Sequence, residues 1–181
     1  MRVVVATVAL LVIGVLSVSL LSKLRSRAAF RAFADGLAAL RVVPGRWAPA
    51  LAGLSVAAEM AVVGALLWPG GTVVGLAGGA VLFAGFTVAL SVAVRRRATV
   101  GCHCFGVTSA PVAPRHVVRS GFLAVTSLAA FCGAATTSSE RLTGLPAAQL
   151  IAALAAAGIL VAGLVWLDDL VWLFRRPASP S

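Results

Sequence analysis

Five long apolar runs restrict the fold of this chain more than any other feature of its sequence. A helix needs about 20 mostly apolar residues to cross a bilayer, and within lipid every backbone polar group has to be hydrogen-bonded inside the segment. The runs cover about residues 3–21, 47–68, 72–94, 116–135 and 146–167. They predict an all-α integral membrane protein, a bundle of about five transmembrane helices.

The composition agrees with this prediction and limits the classes of partner. Of the 181 residues, 61% are apolar and only 11% are charged, yet the net charge is +10. The basic residues stand between the apolar runs, where they interact with the surface of a lipid bilayer. Tyr is absent and no stacking aromatics accompany the basic residues, so nucleic acid is not an expected partner. We expect one membrane domain over residues 1–176 and a disordered tail over residues 177–181.

The distribution of positive charge predicts the topology. Arg and Lys concentrate in residues 23–46, 95–119 and 175–176, and these segments alternate with the five runs. Cytoplasmic loops carry an excess of Lys and Arg. The N-terminus is therefore predicted outside, and the C-terminus and the loop after the third run are predicted in the cytoplasm.

Residues 24–43 have a different pattern from the five runs. Apolar residues recur at spacings of three and four, with charged residues between them, and they include Phe30, Phe33, Leu37 and Leu40. This is the pattern of a short amphipathic helix. Such a helix lies in the membrane interface, or it is a connecting helix that packs on the bundle; the pattern alone leaves both open.

Glu59 is an acid inside the second apolar run. It lies roughly 17 Å along a helix from Trp47, which places it near the bilayer midplane. A carboxyl group at that depth has to face the bundle interior, be protonated or find a donor, and such groups often serve transport of protons or ions. Glu59 is therefore a candidate catalytic residue, with an interhelical hydrogen bond for packing as the alternative.

The sequence Gly101–Gly106 contains two thiols, Cys102 and Cys104, separated by His103. Nearby arginines favour the reactive thiolate form of cysteine. A disulfide across one intervening residue would close a small, strained ring, and strained disulfides are the labile, oxidising ones. We therefore predict Cys102 and Cys104 as a catalytic redox pair. Cys132, on the fourth run, is expected to be a small, buried apolar residue instead.

Two other interpretations of the cysteine motif stay open. Cys102, Cys104 and His116 would offer three ligands suited to zinc or cuprous copper. Alternatively, the thiols are structural parts of a tight turn. In either case the protein would be a non-enzymatic membrane assembly factor or a metal-binding scaffold.

Several of these features together resemble the MauE family of membrane proteins, which is associated with methylamine utilisation and related to DoxX-like membrane proteins. The resemblance covers about residues 3–131, and the Cys-x-Cys-Phe-Gly element is its most specific part. The residues that carry it are Ser22, Lys23, Leu24, Arg25, Phe30, Phe33, Pro44, Glu59, Cys102, His103, Cys104, Phe105, Gly106 and Arg119. One residue departs from the family pattern, because His103 stands where Gly is common.

The resemblance implies a function in a bacterial cytoplasmic membrane: thiol–disulfide maturation of methylamine dehydrogenase. It implies a thioredoxin-like partner and a secreted, disulfide-containing client, and a quinone is a candidate cofactor. Lys23, His103, Phe105, Gly106 and Arg119 would then support the catalytic residues. The predicted cytoplasmic position of the motif contrasts with a client that matures outside the cytoplasm.

Overall fold

The computed structural model describes residues 1–39, 44–96, 114–136 and 146–174. These residues form helices and no strands. The elements are α1 (Arg2–Leu24), α2 (Arg27–Ala39), a short 3-10 helix (Gly45–Trp47), α3 (Ala48–Leu67), α4 (Thr72–Arg95), α5 (Pro114–Thr136) and α6 (Ala147–Phe174). Five segments are long and apolar enough to cross a membrane, and they lie in α1, in the 3-10 helix together with α3, in α4, in α5 and in α6. The chain is an all-α integral membrane protein, as predicted.

Helix α1 lies at the centre of the bundle and packs against each of the other five α-helices. Its buried side chains include Val12, Val15 and Leu16. Gly14 allows α6 to pack closely against α1, because a methyl group in its place would lie 2.7 Å from Val161 of α6. The outer faces of the bundle keep large exposed apolar side chains, such as Val81 and Val125, which suit contact with lipid.

Neighbouring helices run in alternating directions, as their closest contacts show. A methyl group on Gly79 of α4 would lie 3.7 Å from Ser127 of α5, and one on Gly121 of α5 would lie 3.8 Å from Thr87 of α4. Residues later in α4 contact residues earlier in α5, so the two helices are antiparallel. Helices α3 and α4 are also antiparallel, and they are joined by a tight turn in which Gly70 has a φ of +86°.

The described positive charge is concentrated at one end of the bundle, which we call the basic end. It is the end where α1 and α4 finish and where α3 and α5 begin. Apart from Arg2, every Arg and Lys of the described residues lies there or on α2: Lys23, Arg25, Arg27, Arg31, Arg46, Arg95, Arg96, Arg115 and Arg119. The charge alternation expected from the sequence is therefore present in the described part of the bundle.

The amphipathic helix α2 packs on α3. It begins at Arg27, three residues after the predicted start, and residues 40–43 of the predicted helix lie outside the described residues. Its first turn is capped by Ser26, whose Oγ accepts a hydrogen bond from the Ala29 N–H at 3.0 Å. Phe33 and Ala34 are buried against Ala52 of α3. The apolar face of α2 is thus covered by protein. This agrees with the interpretation of α2 as a connecting helix that packs on the bundle.

Candidate functional site

The most deeply buried charges of the described chain form an ion pair between α1 and α3. The Lys23 ammonium donates a hydrogen bond to Glu59 Oε1, and the two side chains are 1% and 0% exposed. Ser55, one turn before Glu59, donates a second hydrogen bond to the same oxygen at 3.3 Å. The expectation that Glu59 faces the interior and finds a donor is confirmed. Lys23, the first cation of the basic segment 23–46, is buried in the bundle rather than exposed at the membrane surface.

Two aromatic rings complete the surroundings of the ammonium. Lys23 Nζ lies 4.3 Å from the ring centroid of Phe33 on α2 and 5.6 Å from that of Phe86 on α4. A ring face attracts a cation through its quadrupole, and the attraction grows when water is excluded. We call the set of Lys23, Ser55, Glu59, Phe33 and Phe86 the Lys23–Glu59 site. Four helices contribute to it.

The geometry of the helices explains how a residue at the end of α1 reaches the middle of α3. Glu59 is eleven residues after Ala48, roughly 16 Å along the axis of α3. Lys23 is the penultimate residue of α1, and Cα–Cβ bonds tilt toward the helix N-terminus. The long side chain of Lys23 is therefore directed back along α1 into the bundle rather than out toward the headgroups.

The ion pair uses only one of the two carboxylate oxygens of Glu59. Glu59 Oε2 is buried and accepts no hydrogen bond from the described residues. A charged side chain at the centre of a membrane helix costs about 2.5–3.5 kcal/mol on insertion scales, so an opposite charge alongside it offsets a large penalty. Glu59 Oε2 is consequently placed to take up a proton or to accept a hydrogen bond from a molecule that enters the site.

A second buried polar group lies at the start of α5. Arg119 is 5% exposed and Ser120 is 4% exposed. Arg119 precedes Gly121 by two residues, about 3 Å along the axis, and Gly121 packs beside Thr87, the neighbour of Phe86. Arg119 therefore lies at a depth similar to that of the Lys23–Glu59 site. Its side chain is therefore buried in the bundle rather than extended to the lipid headgroups.

The predicted redox residues fall in residues 97–113, outside the described residues; these are Cys102, His103, Cys104, Phe105 and Gly106. The flanking described residues are Arg96, just after α4, and Pro114, the first residue of α5. Both belong to the basic end. The chain therefore enters and leaves the motif segment at the end of the bundle that also holds Lys23 and Arg119.

The remaining predicted residues have mixed outcomes. His116, the third ligand of the predicted metal site, is half-buried in the first turn of α5, while the two cysteines of that set lie outside the described residues. The metal site stays a prediction. Cys132 is exposed on α5, so the expectation that it is buried is wrong. A lipid-facing position still suits a thiol that behaves as a small apolar group.

Sequence reasoning missed two residues of the Lys23–Glu59 site. Ser55 had a usable signal, since it stands four residues before Glu59 and therefore on the same helix face. Phe86 had none, because its contact with Lys23 depends on the rotation of α4 about its axis. The pairing of Lys23 with Glu59 could have been predicted, since an acid inside an apolar membrane helix requires a hydrogen-bond donor.

Comparison with known proteins gives a family and no individual relative. The family described as Methylamine utilisation protein MauE matches residues 1–133, which include α1 to α4 and most of α5. No curated protein and no solved structure gives a significant match.

Proposed function

The chain belongs to the MauE family, and from this premise we propose that it is a thiol–disulfide exchange protein of the membrane. The exchanging groups are the thiols of Cys102 and Cys104. The partner is a thioredoxin-like protein, and the final client is a secreted protein that contains disulfides. The family's description points to methylamine utilisation, and maturation of methylamine dehydrogenase is the client function that we propose.

The observation that carries this proposal is the buried Lys23–Glu59 pair inside the bundle. Ionised groups are rare inside membrane bundles, and where they occur they mark proton, ion or substrate pathways. Lys23 extends into the bundle from the end at which the described residues flank the Cys102–Cys104 segment, and it meets Glu59 about 16 Å along α3. This arrangement supports a link between the buried pair and the cysteine segment.

The exchange transfers two electrons and two protons. The thiolate of one cysteine attacks the disulfide of the thioredoxin-like protein, and a mixed disulfide forms as one partner thiol leaves. The second cysteine then attacks the mixed disulfide. The products are a Cys102–Cys104 disulfide and a partner with two thiols. The step runs in either direction, according to the reduction potentials of the two proteins.

Protons have to move whenever these thiols react, because the thiolate is the nucleophile. In our proposal Glu59 takes up such a proton on Oε2, while Lys23 and Ser55 hold its Oε1. The two rings keep water from the ammonium. A membrane quinone is the candidate electron carrier within the bilayer, and it would exchange the same two electrons and two protons.

The proposed location is a bacterial cytoplasmic membrane with the basic end in the cytoplasm. Positive charge at that end supports this orientation. Cys102 and Cys104 would then meet a thioredoxin-like protein on the cytoplasmic side, and the electrons would cross the bilayer to serve a client that matures outside.

Single cysteine variants test the proposal. Cys102→Ser and Cys104→Ser should each abolish thiol exchange but not membrane insertion, and one of them should accumulate a mixed disulfide with a thioredoxin-like protein. Cys132→Ser is the matched control, since it removes an exposed thiol of α5 and should retain activity.

Two outcomes would contradict the proposal. One is wild-type activity in both motif variants. The other is stoichiometric zinc or copper in the purified protein that both motif variants lose, with no mixed disulfide. The second outcome would favour the metal-binding scaffold with Cys102, Cys104 and His116 as ligands.

A further inference from the structure

A basic groove lies at the corner between α1 and α2, on the outer side of the Lys23–Glu59 site. Its volume is about 270 Å³. It is lined by Lys23, Leu24, Ser26, Arg27, Phe30 and Arg31. Three of the six lining residues are cations and none is an acid. We propose that this groove binds one phosphate group, such as that of an anionic phospholipid headgroup.

The arrangement of Arg27 and Arg31 supports an anionic ligand. They are four residues apart on α2, so their side chains lie on the same face, where like charges destabilise a helix. Both are exposed, and neither forms a salt bridge with a carboxylate in the described part of the chain. Asp35, one turn beyond Arg31, makes no ion pair with it. A bound anion would offset the repulsion between the two guanidinium groups.

The start of α2 adds donors to the groove. The first N–H groups of a helix have no acceptor within the helix, and together with the helix dipole they favour an anion. Helix α2 has no acidic residue in its first turn. Ser26 Oγ accepts the Ala29 N–H, so the N–H groups of Arg27 and Ala28 are the ones left for an anion at the start of the helix.

Lys23 forms the inner wall of this groove. Its side chain is 1% exposed, and its ammonium lies between Glu59 and the ring of Phe33, so its charge is paired inside the bundle. The same residue lines the groove, which therefore adjoins the Lys23–Glu59 site. The contacts to a phosphate would come from Arg27, Arg31 and the start of α2.

Phosphate fits these donors better than other anions do. Guanidinium groups bind phosphate with paired hydrogen bonds, and clusters of Lys and Arg just beyond a membrane span are typical of anionic lipid sites. The volume is below the roughly 300–1,000 Å³ of most small-molecule pockets, so it suits a headgroup fragment rather than a large ligand. Leu24 and Phe30 supply an apolar wall for the glycerol and the first acyl carbons.

The groove residues Arg27 and Arg31 take no part in thiol exchange, so phosphate binding can be tested apart from it. The test uses the full-length protein in a mild detergent, stripped of lipid and titrated with dioleoyl phosphatidylglycerol under native mass spectrometry. Wild type should bind one phosphatidylglycerol molecule per chain at low lipid. The variant Arg27→Gln/Arg31→Gln should bind on the order of 25-fold more weakly, at about fivefold for each basic residue.

The matched control is Arg46→Gln/Arg95→Gln. It removes two exposed charges from the same basic end, but neither residue lines the groove. This control should bind phosphatidylglycerol within about threefold of wild type. Because all four arginines are exposed, both double variants should keep the thermal stability of the lipid-free wild type, which a melting curve checks.

Two further probes distinguish the sources of phosphate. If millimolar inorganic phosphate displaces the lipid, the groove takes a free phosphate as well; if it does not, the lipid headgroup is the ligand. Both results support phosphate binding. Equal binding of dioleoylglycerol, which has the same chains and no phosphate, would overturn the proposal. Equal weakening in the two double variants would also overturn it, because diffuse surface attraction would then explain the binding.

Discussion

Replacing Lys23 alone should strongly destabilise the bundle. The variant Lys23→Met keeps the length of the side chain and removes the charge, which leaves Glu59 buried without its cation. Breaking one half of a buried ion pair costs about 3–5 kcal/mol. For a chain of 150–250 residues each kcal/mol lowers Tm by about 2–4 °C, so we expect a decrease of roughly 6–20 °C.

The double variant Lys23→Met/Glu59→Met should recover most of that loss. Replacing a buried ion pair with apolar residues of similar volume is often neutral, because neither charge then has to leave water. We expect the double variant to lie within about 1 kcal/mol of wild type. The single variants and the double variant together form a double-mutant cycle that isolates the interaction between the two residues.

Thermal unfolding in detergent, followed by intrinsic fluorescence and circular dichroism, measures the cycle. Arg25→Met is the matched control, since Arg25 is an exposed cation two residues after Lys23, and its loss should change stability by less than about 0.5 kcal/mol. If Lys23→Met and Glu59→Met each cost less than about 1 kcal/mol and their effects add, the buried pair does not exist in the protein.

The same double variant separates structure from function. If Glu59 takes up a proton during thiol exchange, the double variant should be as stable as wild type but inactive. A double variant that is both stable and fully active would mean that the pair serves packing alone.

Two other predictions concern packing. Gly75→Ala should cost about 1–3 kcal/mol, because the new methyl group would lie 2.5 Å from the Leu66 side chain, whereas Gly85→Ala, with open space around it, should be neutral or stabilise slightly; melting curves of the two variants in the same detergent compare them. Phe33→Ala should cost about 3–5 kcal/mol and make α2 sensitive to protease, because Phe33 joins α2 to α3 and contacts the ammonium of Lys23. Phe33→Leu should restore most of the stability, and equal protease sensitivity in the alanine variant and wild type would refute this role.

The five spans could be predicted from the sequence because lipid imposes a length and a composition on each of them. The predicted first run, 3–21, falls within α1, and the predicted third run, 72–94, ends one residue before α4 does. The last helix continues to Phe174, seven residues beyond its predicted apolar run, because a helix can extend past the hydrocarbon into the membrane interface.

The contacts between helices could not be predicted in the same way. Lys23 belongs to the basic segment 23–46, and a count of charges contains no information on which way one side chain points. Its burial depends on the packing of α2 over the end of α1 and on the rotation that turns Glu59 inward. The apolar face of α2 was equally compatible with lipid and with protein, and only the contact of Phe33 with Ala52 decides between them.

Thiol labelling tests the proposed redox function most directly. A membrane-impermeant maleimide is applied to intact cells and to opened membranes, with and without prior reduction, and Cys132 on α5 is the internal reference. We predict that Cys102 and Cys104 label only after reduction, and only when membranes are opened, as a reversible disulfide on the cytoplasmic side requires. Equal labelling of both cysteines without reductant would contradict a stable oxidised pair.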